Sequence, residues 1–213
     1  MLFINTQSLL NKVKLLVFVI PLLLISDHLQ AKQTKLLILG DSLSAAYGLK
    51  QEQGWVSLLQ DAWKDKPITL INAAISGETT DGALARLPRL LKQHQPTHIF
   101  VELGGNDGLQ GHPVNKMADN LKSIVLLSKK SGVEVILQEM QIPTNYGKRY
   151  TRMFTDTYTS LATELNVTLI PFFLQNIALD DNLMQNDGIH PNALAQPIIA
   201  NDMQTRLEAI ISL

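Results

Sequence analysis

The sequence predicts an α/β fold, a parallel sheet with helices on both faces, and three observations carry that reading. Short runs rich in Leu, Ile and Val alternate with stretches whose apolar residues recur at helical spacing. The runs are apolar with little interruption, as strands buried on both faces are. They also stop at turn-forming residues, at Gly40, Asn72 and Gly104, where the chain must leave the sheet.

Leu36–Leu39 is the first strand, ended by Gly40. Trp55, Leu58, Leu59 and Trp63 lie at helical spacing, and Pro67 closes that helix. Ile68–Ile71 reads as the second strand. Leu84, Leu87, Leu90 and Leu91 share one face of a helix over about 79–93, which Pro88 is expected to kink. His98–Leu103 is the third strand. A helix over about 114–130 carries Met117, Leu121, Ile124 and Val125 inward and is capped by Gly132. Val133–Leu137, a helix over about 150–165, Val167–Ile170 and a last helix over 192–211 complete five strands in three layers. Right-handed crossovers leave few topologies, and ligands in such sheets lie outside the carboxyl ends of the strands. Gly40–Ser42, Asn72–Gly77 and Gly104–Asp107 are thereby expected at one edge.

A chain of 213 residues, 46% of them hydrophobic, suits one domain with a substantial core. The net charge is −1 and no Lys/Arg cluster could follow a phosphate backbone, which argues against a nucleic-acid partner. Cysteine is absent, which excludes disulfides, thiolate metal sites and a cysteine nucleophile. Lys12 and Lys14 precede the apolar run Leu15–Ile25, no acid appears before Asp27, and a polar stretch follows to Ala31. That pattern is a secretory signal peptide, so residues 1–31 are read as a leader to the periplasm or beyond and 32–213 as the folded domain. The run falls short of the roughly 20 residues that span a bilayer, so no stable membrane anchor is expected after processing. Cleavage after Ala31 would leave Leu29 where a small residue is usual, and an uncleaved membrane anchor or a buried helix are the rival readings.

Ser42 follows the first strand in Gly40-Asp41-Ser42-Leu43-Ser44, where a turn should lead into a helix. Its hydroxyl would then point off the sheet edge with its N–H at a helix N-terminus, a place that favours a developing oxyanion. The same residue reads equally as a helix N-cap. Among five histidines, His190 stands out because Asp187 lies three residues upstream in Asp187-Gly188-Ile189-His190, so one turn could pair carboxylate and imidazole. An ordinary Asp-Gly turn is the competing reading, and His112, in a loop expected after Gly105-Asn106-Asp107, is the competing base. Gly77 and Asn106 each follow a strand end and could supply oxyanion donors, although both are common turn residues. No Gly-x-Ser-x-Gly elbow, Walker A sequence, Gly-x-Gly-x-x-Gly or His-Glu-x-x-His occurs.

Taken in order, these four segments resemble the blocks of the SGNH (GDSL) hydrolase superfamily, whose name-giving residues fall on Ser42, Gly77, Asn106 and His190. Leu39-Gly-Asp-Ser-Leu-Ser-Ala-Ala-Tyr-Gly48, Pro143-Thr-Asn-Tyr-Gly-Lys-Arg-Tyr150 and Asp187-Gly-Ile-His-Pro-Asn192 look like its periplasmic acyl-CoA thioesterase, arylesterase and lysophospholipase branch. Glu78 departs from the Asp usual after the second block's glycine. The resemblance implies a flavodoxin-like α/β/α fold with a five-stranded parallel sheet. It implies a serine hydrolase acting on small-molecule acyl esters and thioesters, with Ser42, Asp187 and His190 catalytic. Its oxyanion hole would comprise Ser42, Gly77 and Asn106, with no metal, no cofactor and no obligate protein partner. Asp41 is expected to anchor the turn. A carbohydrate O-acetylesterase of the same superfamily and a non-catalytic periplasmic binding module are the alternatives.

Overall fold

The computed structural model describes residues 33–211. The leader read at 1–31 lies outside the described residues. Five parallel strands, β1 (Thr34–Gly40), β2 (Ile68–Asn72), β3 (His98–Glu102), β4 (Glu134–Gln138) and β5 (Thr168–Ile170), form one sheet in the order β2-β1-β3-β4-β5. This is the flavodoxin-like order, whose switch point lies between β1 and β3. β1 pairs in register from Leu36 opposite His98 to Gly40 opposite Glu102, so the turn after β1 and the loop after β3 leave the sheet side by side.

Helix α1 (Trp55–Ala62) packs on α6 (Gln196–Ile210), while α2 (Thr80–His94), α4 (Val114–Lys130) and α5 (Lys148–Leu165) pack side by side. Leu36–Leu39, Ile99–Val101 and Leu137 are fully buried between these two layers, which accounts for their uninterrupted apolar runs. The helix ends follow local chemistry. The Thr79 hydroxyl accepts from the Gly82 N–H at the start of α2, and Gln95 ends that helix in a left-handed conformation just before Pro96. Gly132 closes α4 as expected: with φ of 74° it lets Val133 N–H reach the Ser128 carbonyl at 3.1 Å. Helix α2 continues through Pro88 without a break, leaving the Leu84 carbonyl without its intrahelical donor.

Three expectations are corrected. The turn at Ser42 does not lead into a regular helix: Ala45 N–H bonds to the Asp41 carbonyl, but positive φ at Ala46 and Gly48 ends the winding after one turn. The last helix begins at Gln196, because the Asn192 side chain accepts from the Leu194 and Ala195 N–H groups and holds 192–195 as a separate turn. A short helix, α3 (Gly105–Leu109), follows β3 where a loop was expected. It starts from Gly104, with φ of 108°, where any Cβ would collide with the buried Tyr158 hydroxyl.

Candidate active site

Four segments meet at the carboxyl edge of β1 and β3. The first is the turn after β1, fixed by the buried Asp41, whose Oδ1 accepts from the Leu43 N–H at 3.0 Å. Because the turn is single, it offers free N–H groups but not the summed dipole of a long helix. The second is the loop after β2, which runs beside β1: Ala73 N–H bonds to the Ile38 carbonyl and Ile75 N–H to the Gly40 carbonyl. Arg86 clamps this loop, donating to Glu78 Oε2 and to the Ala73 carbonyl, each at 2.6 Å. Glu78, the departure noted in the sequence, thus serves as a structural partner of Arg86. Gly77 adopts φ of 80°. Among the described residues, neither the Ser42 nor the Gly77 N–H donates to any protein group.

The third segment is α3. Asn106 Nδ2 donates to Asp41 Oδ2 at 3.2 Å and to the Glu78 carbonyl at 3.0 Å, bridging the neighbours of Ser42 and of Gly77. Both amide hydrogens are engaged, so one of these bonds must yield to a ligand oxygen. Asp107, buried, accepts from the Thr80 N–H at 2.9 Å and the Thr80 hydroxyl at 2.6 Å, fastening α3 to the start of α2.

The fourth segment carries His190. Asp187 Oδ1 accepts from the Ile189 and His190 N–H groups, and its Oδ2 lies 2.7 Å from His190 Nδ1. Burial alone would raise this carboxyl, but those bonds outweigh it and hold it at about 2. With its proton on Nδ1, the imidazole presents Nε2 as an acceptor 2.9 Å from Ser42 Oγ. Gln185 locks the segment by donating to the Tyr47 and Pro191 carbonyls. The arrangement can remove a proton from Ser42 and stabilise the resulting imidazolium.

The competing base is placed elsewhere: His112 Nδ1 lies 3.9 Å from Asp107 Oδ1, and its carbonyl accepts from the Tyr150 hydroxyl. His98 opens β3, at the opposite edge of the sheet.

Two residues here escaped the sequence reading. The Tyr47 ring lies 4.2 Å from the His190 ring, tilted by 32°, and covers one imidazole face. Glu102, fully buried at the end of β3, accepts from the Ser44 hydroxyl at 2.7 Å and from the Asp41 N–H at 3.2 Å. Tyr47 lay inside a segment already singled out, whereas Glu102 was hidden within an apolar strand.

Ser42, Asn106 and His190 open on a cavity of about 430 Å³ whose apolar walls include Leu109, Met140, Ile142, Phe172, Leu174 and Met184. That volume lies in the usual range for small-molecule sites. Among the described residues, no three His, Asp or Glu side chains are grouped to hold a metal ion, and no helix is long and apolar enough to cross a membrane.

Residues 38–196 match the GDSL-like Lipase/Acylhydrolase family. The chain is 46% identical over 177 residues to the thioesterase 1/protease 1/lysophospholipase L1 of Escherichia coli K12, covering 83% of this chain and 85% of that one. It is 48% identical over 168 residues to an arylesterase of Vibrio mimicus, covering 78% and 84% respectively. Among solved structures, the psychrotrophic esterase EstA of Pseudoalteromonas sp., inhibited by monoethylphosphonate, superposes with a TM-score of 0.82 at 49% identity. That match covers 84% of this chain and all of the other.

Proposed function

The chain belongs to the GDSL-like lipase/acylhydrolase family and is a serine hydrolase of the esterase/thioesterase kind, and from that premise we propose that Ser42, His190 and Asp187 carry the reaction. The observation that carries the proposal is the unbroken chain from Ser42 Oγ through His190 to Asp187, 2.9 and 2.7 Å long at its two links, facing an apolar cavity. Ser42 Oγ attacks the acyl carbonyl while His190 Nε2 takes its proton. The carbonyl oxygen becomes an oxyanion received by the Ser42 and Gly77 N–H groups and by Asn106 Nδ2, after that amide releases one of its resting partners. The bond to the leaving oxygen or sulfur breaks, and His190 returns the proton to the departing alcohol or thiol. Water, deprotonated by the same imidazole, then attacks the Ser42 acyl ester and frees the carboxylic acid.

The substrates are acyl thioesters such as acyl-CoA, lysophospholipids and aryl esters: the relatives' names speak of a thioesterase, a lysophospholipase and an arylesterase, and the apolar walls suit an acyl chain. Each methylene buried in the cavity adds up to ~0.8 kcal/mol, about fourfold in kcat/KM, so medium acyl chains outrun acetyl. The protein is exported, with residues 1–31 as its leader; N-terminal sequencing of the product recovered from the periplasm tests this.

A p-nitrophenyl alkylphosphonate tests the nucleophile. It should release nitrophenol stoichiometrically and leave a phosphonyl group on the Ser42 peptide, while Ser42→Ala takes up none. Labelling elsewhere would remove Ser42 from the role. A strict preference for acetyl over octanoyl esters would favour an O-acetylesterase instead.

A further inference from the structure

Two buried carboxyls lie beneath the nucleophile turn with no Lys or Arg among the described residues paired to either. Glu102 is fully buried and Asp41 is 2% exposed. The two residues are in direct contact, the Asp41 N–H donating to Glu102 Oε2 at 3.2 Å, and each side chain acts on the other's protonation. Their remaining partners are unequal. Asp41 receives the Leu43 N–H on Oδ1 and Asn106 Nδ2 on Oδ2, so each of its oxygens has a donor. Glu102 Oε2 receives the Ser44 hydroxyl and the Asp41 N–H, but among the described residues Glu102 Oε1 is buried with no hydrogen-bond partner. An ionised Glu102 would leave that oxygen charged, desolvated and facing another anion. A protonated Glu102 carboxyl has an acceptor at hand in the Asp41 side chain.

We propose that Glu102 is a positioning residue kept as a neutral carboxylic acid, which donates its proton to the Asp41 carboxylate and so fixes the acceptor that orients Asn106 and the Ser42 turn. This rests on the reading of Ser42 and Asn106 as catalytic groups. Gly40 is part of the device, since a Cβ there would fall 2.6 Å from Glu102 Oε2 and displace it.

The surrounding charges agree. Burial and then the nearby Asp41 charge push Glu102 well above the usual carboxylate range. Burial raises Asp41 too, but its donors and the His190 side chain act against that. The other titratable groups nearby are Tyr158 on α5, whose buried hydroxyl donates to the Leu103 carbonyl and feels both carboxyls, and Asp107 on α3 and Glu139 after β4, which act on that same hydroxyl. None of the three is a cation that would favour ionised Glu102.

Infrared spectroscopy of the full enzyme tests the protonation state directly. Wild-type protein at neutral pH should show the C=O stretch of a protonated carboxylic acid that shifts with ¹³C-glutamate labelling and vanishes in Glu102→Gln. This reading does not depend on activity, so it separates failure here from failure of the catalytic assignment. In ester hydrolysis, Glu102→Gln, which keeps a donor in place of the hydroxyl, should retain kcat within about twofold. Glu102→Leu should lose about tenfold or more in kcat with KM little changed, part of the full cost of an oxyanion donor. The wild-type kcat should also fall on the alkaline side as Glu102 ionises, and Glu102→Gln should lose that fall. No labelled acid band, or a Gln variant as impaired as the Leu variant, would overturn the proposal.

Discussion

Asp187 does two things with one carboxylate: Oδ1 closes the turn on the Ile189 and His190 N–H groups, while Oδ2 holds His190 Nδ1. Asp187→Asn can keep the Oδ1 contacts, but its amide then faces Nδ1 as a donor and favours the tautomer that blocks Nε2. The rate should fall on the order of 10³–10⁴ with the fold intact, which steady-state kinetics beside circular dichroism would check. Asn106 differs in kind. Its amide meets charge only when the oxyanion forms, so Asn106→Ala should cost about 10²–10³ in kcat and little in KM. An unchanged kcat would exclude it from the site. Of these residues, Asp187 and His190 were legible as a pair because one turn brings them together. Asn106 was legible only through its place in an ordered set of motifs. Tyr47 was not, because nothing in an exposed aromatic after a turn says which ring it will cover.

Elements fix the separation between Gly77 and Asn106. The link is Asp107, a carboxylate at the N-terminus of α2 holding both polar groups of Thr80, with Asn120 of α4 donating to the same hydroxyl at 3.0 Å. Thr80→Val keeps the N–H contact and leaves the buried Asp107 Oδ1 and Asn120 without the hydroxyl. It should cost roughly 1–3 kcal/mol in urea unfolding, and also reduce kcat, because the oxyanion donors flank the clasp. A stability loss with kcat untouched would show that α2 can shift without moving Gly77. The strands and long helices were legible from periodicity alone, to within a few residues at their ends. The one-turn winding at Ser42 was not, because it depends on positive φ at Ala46, a residue whose composition signals helix rather than reversal. Helix α3 was hidden for the opposite reason: its glycines read as loop, yet Gly104 and Gly108 are demanded by close packing against Tyr158, Ile142 and Phe154.

For the whole molecule, strand order decides which loops meet, and five apolar runs with turns at their ends made that edge legible before any side chain was placed. Charge burial was harder to read, since a lone acid closing an apolar strand resembles a solvent-facing position; its only sign is that Val101, Leu103 and their neighbours leave it no polar face. That hidden chemistry shapes the pH dependence of stability. Asp187 and Glu208 are both held at about 2 in the fold, against ordinary values of 3.8 and 4.5. For Glu208 the causes are Lys66, then Gln204 one turn earlier on α6, then the indole N–H of the buried Trp63, and Lys66 and Trp63 tie α6 to the end of α1. As these carboxyls protonate in the unfolded chain before the folded one, the stability they contribute is complete above roughly pH 4.5 and is lost as pH falls toward 2. Asp41 and Glu102 carry the opposite sign: raised in the fold, they favour it below their ordinary values and cease to do so as pH rises through the raised ones. Urea midpoints measured over about pH 2 to 9 should therefore fall on both sides of a weakly acidic maximum. Glu208→Gln should flatten the acid limb and Glu102→Gln the alkaline one, each leaving the other limb in place. A wild-type midpoint constant between pH 5 and 2 would contradict the assignment of Asp187 and Glu208, and an alkaline limb that Glu102→Gln leaves untouched would place its origin elsewhere.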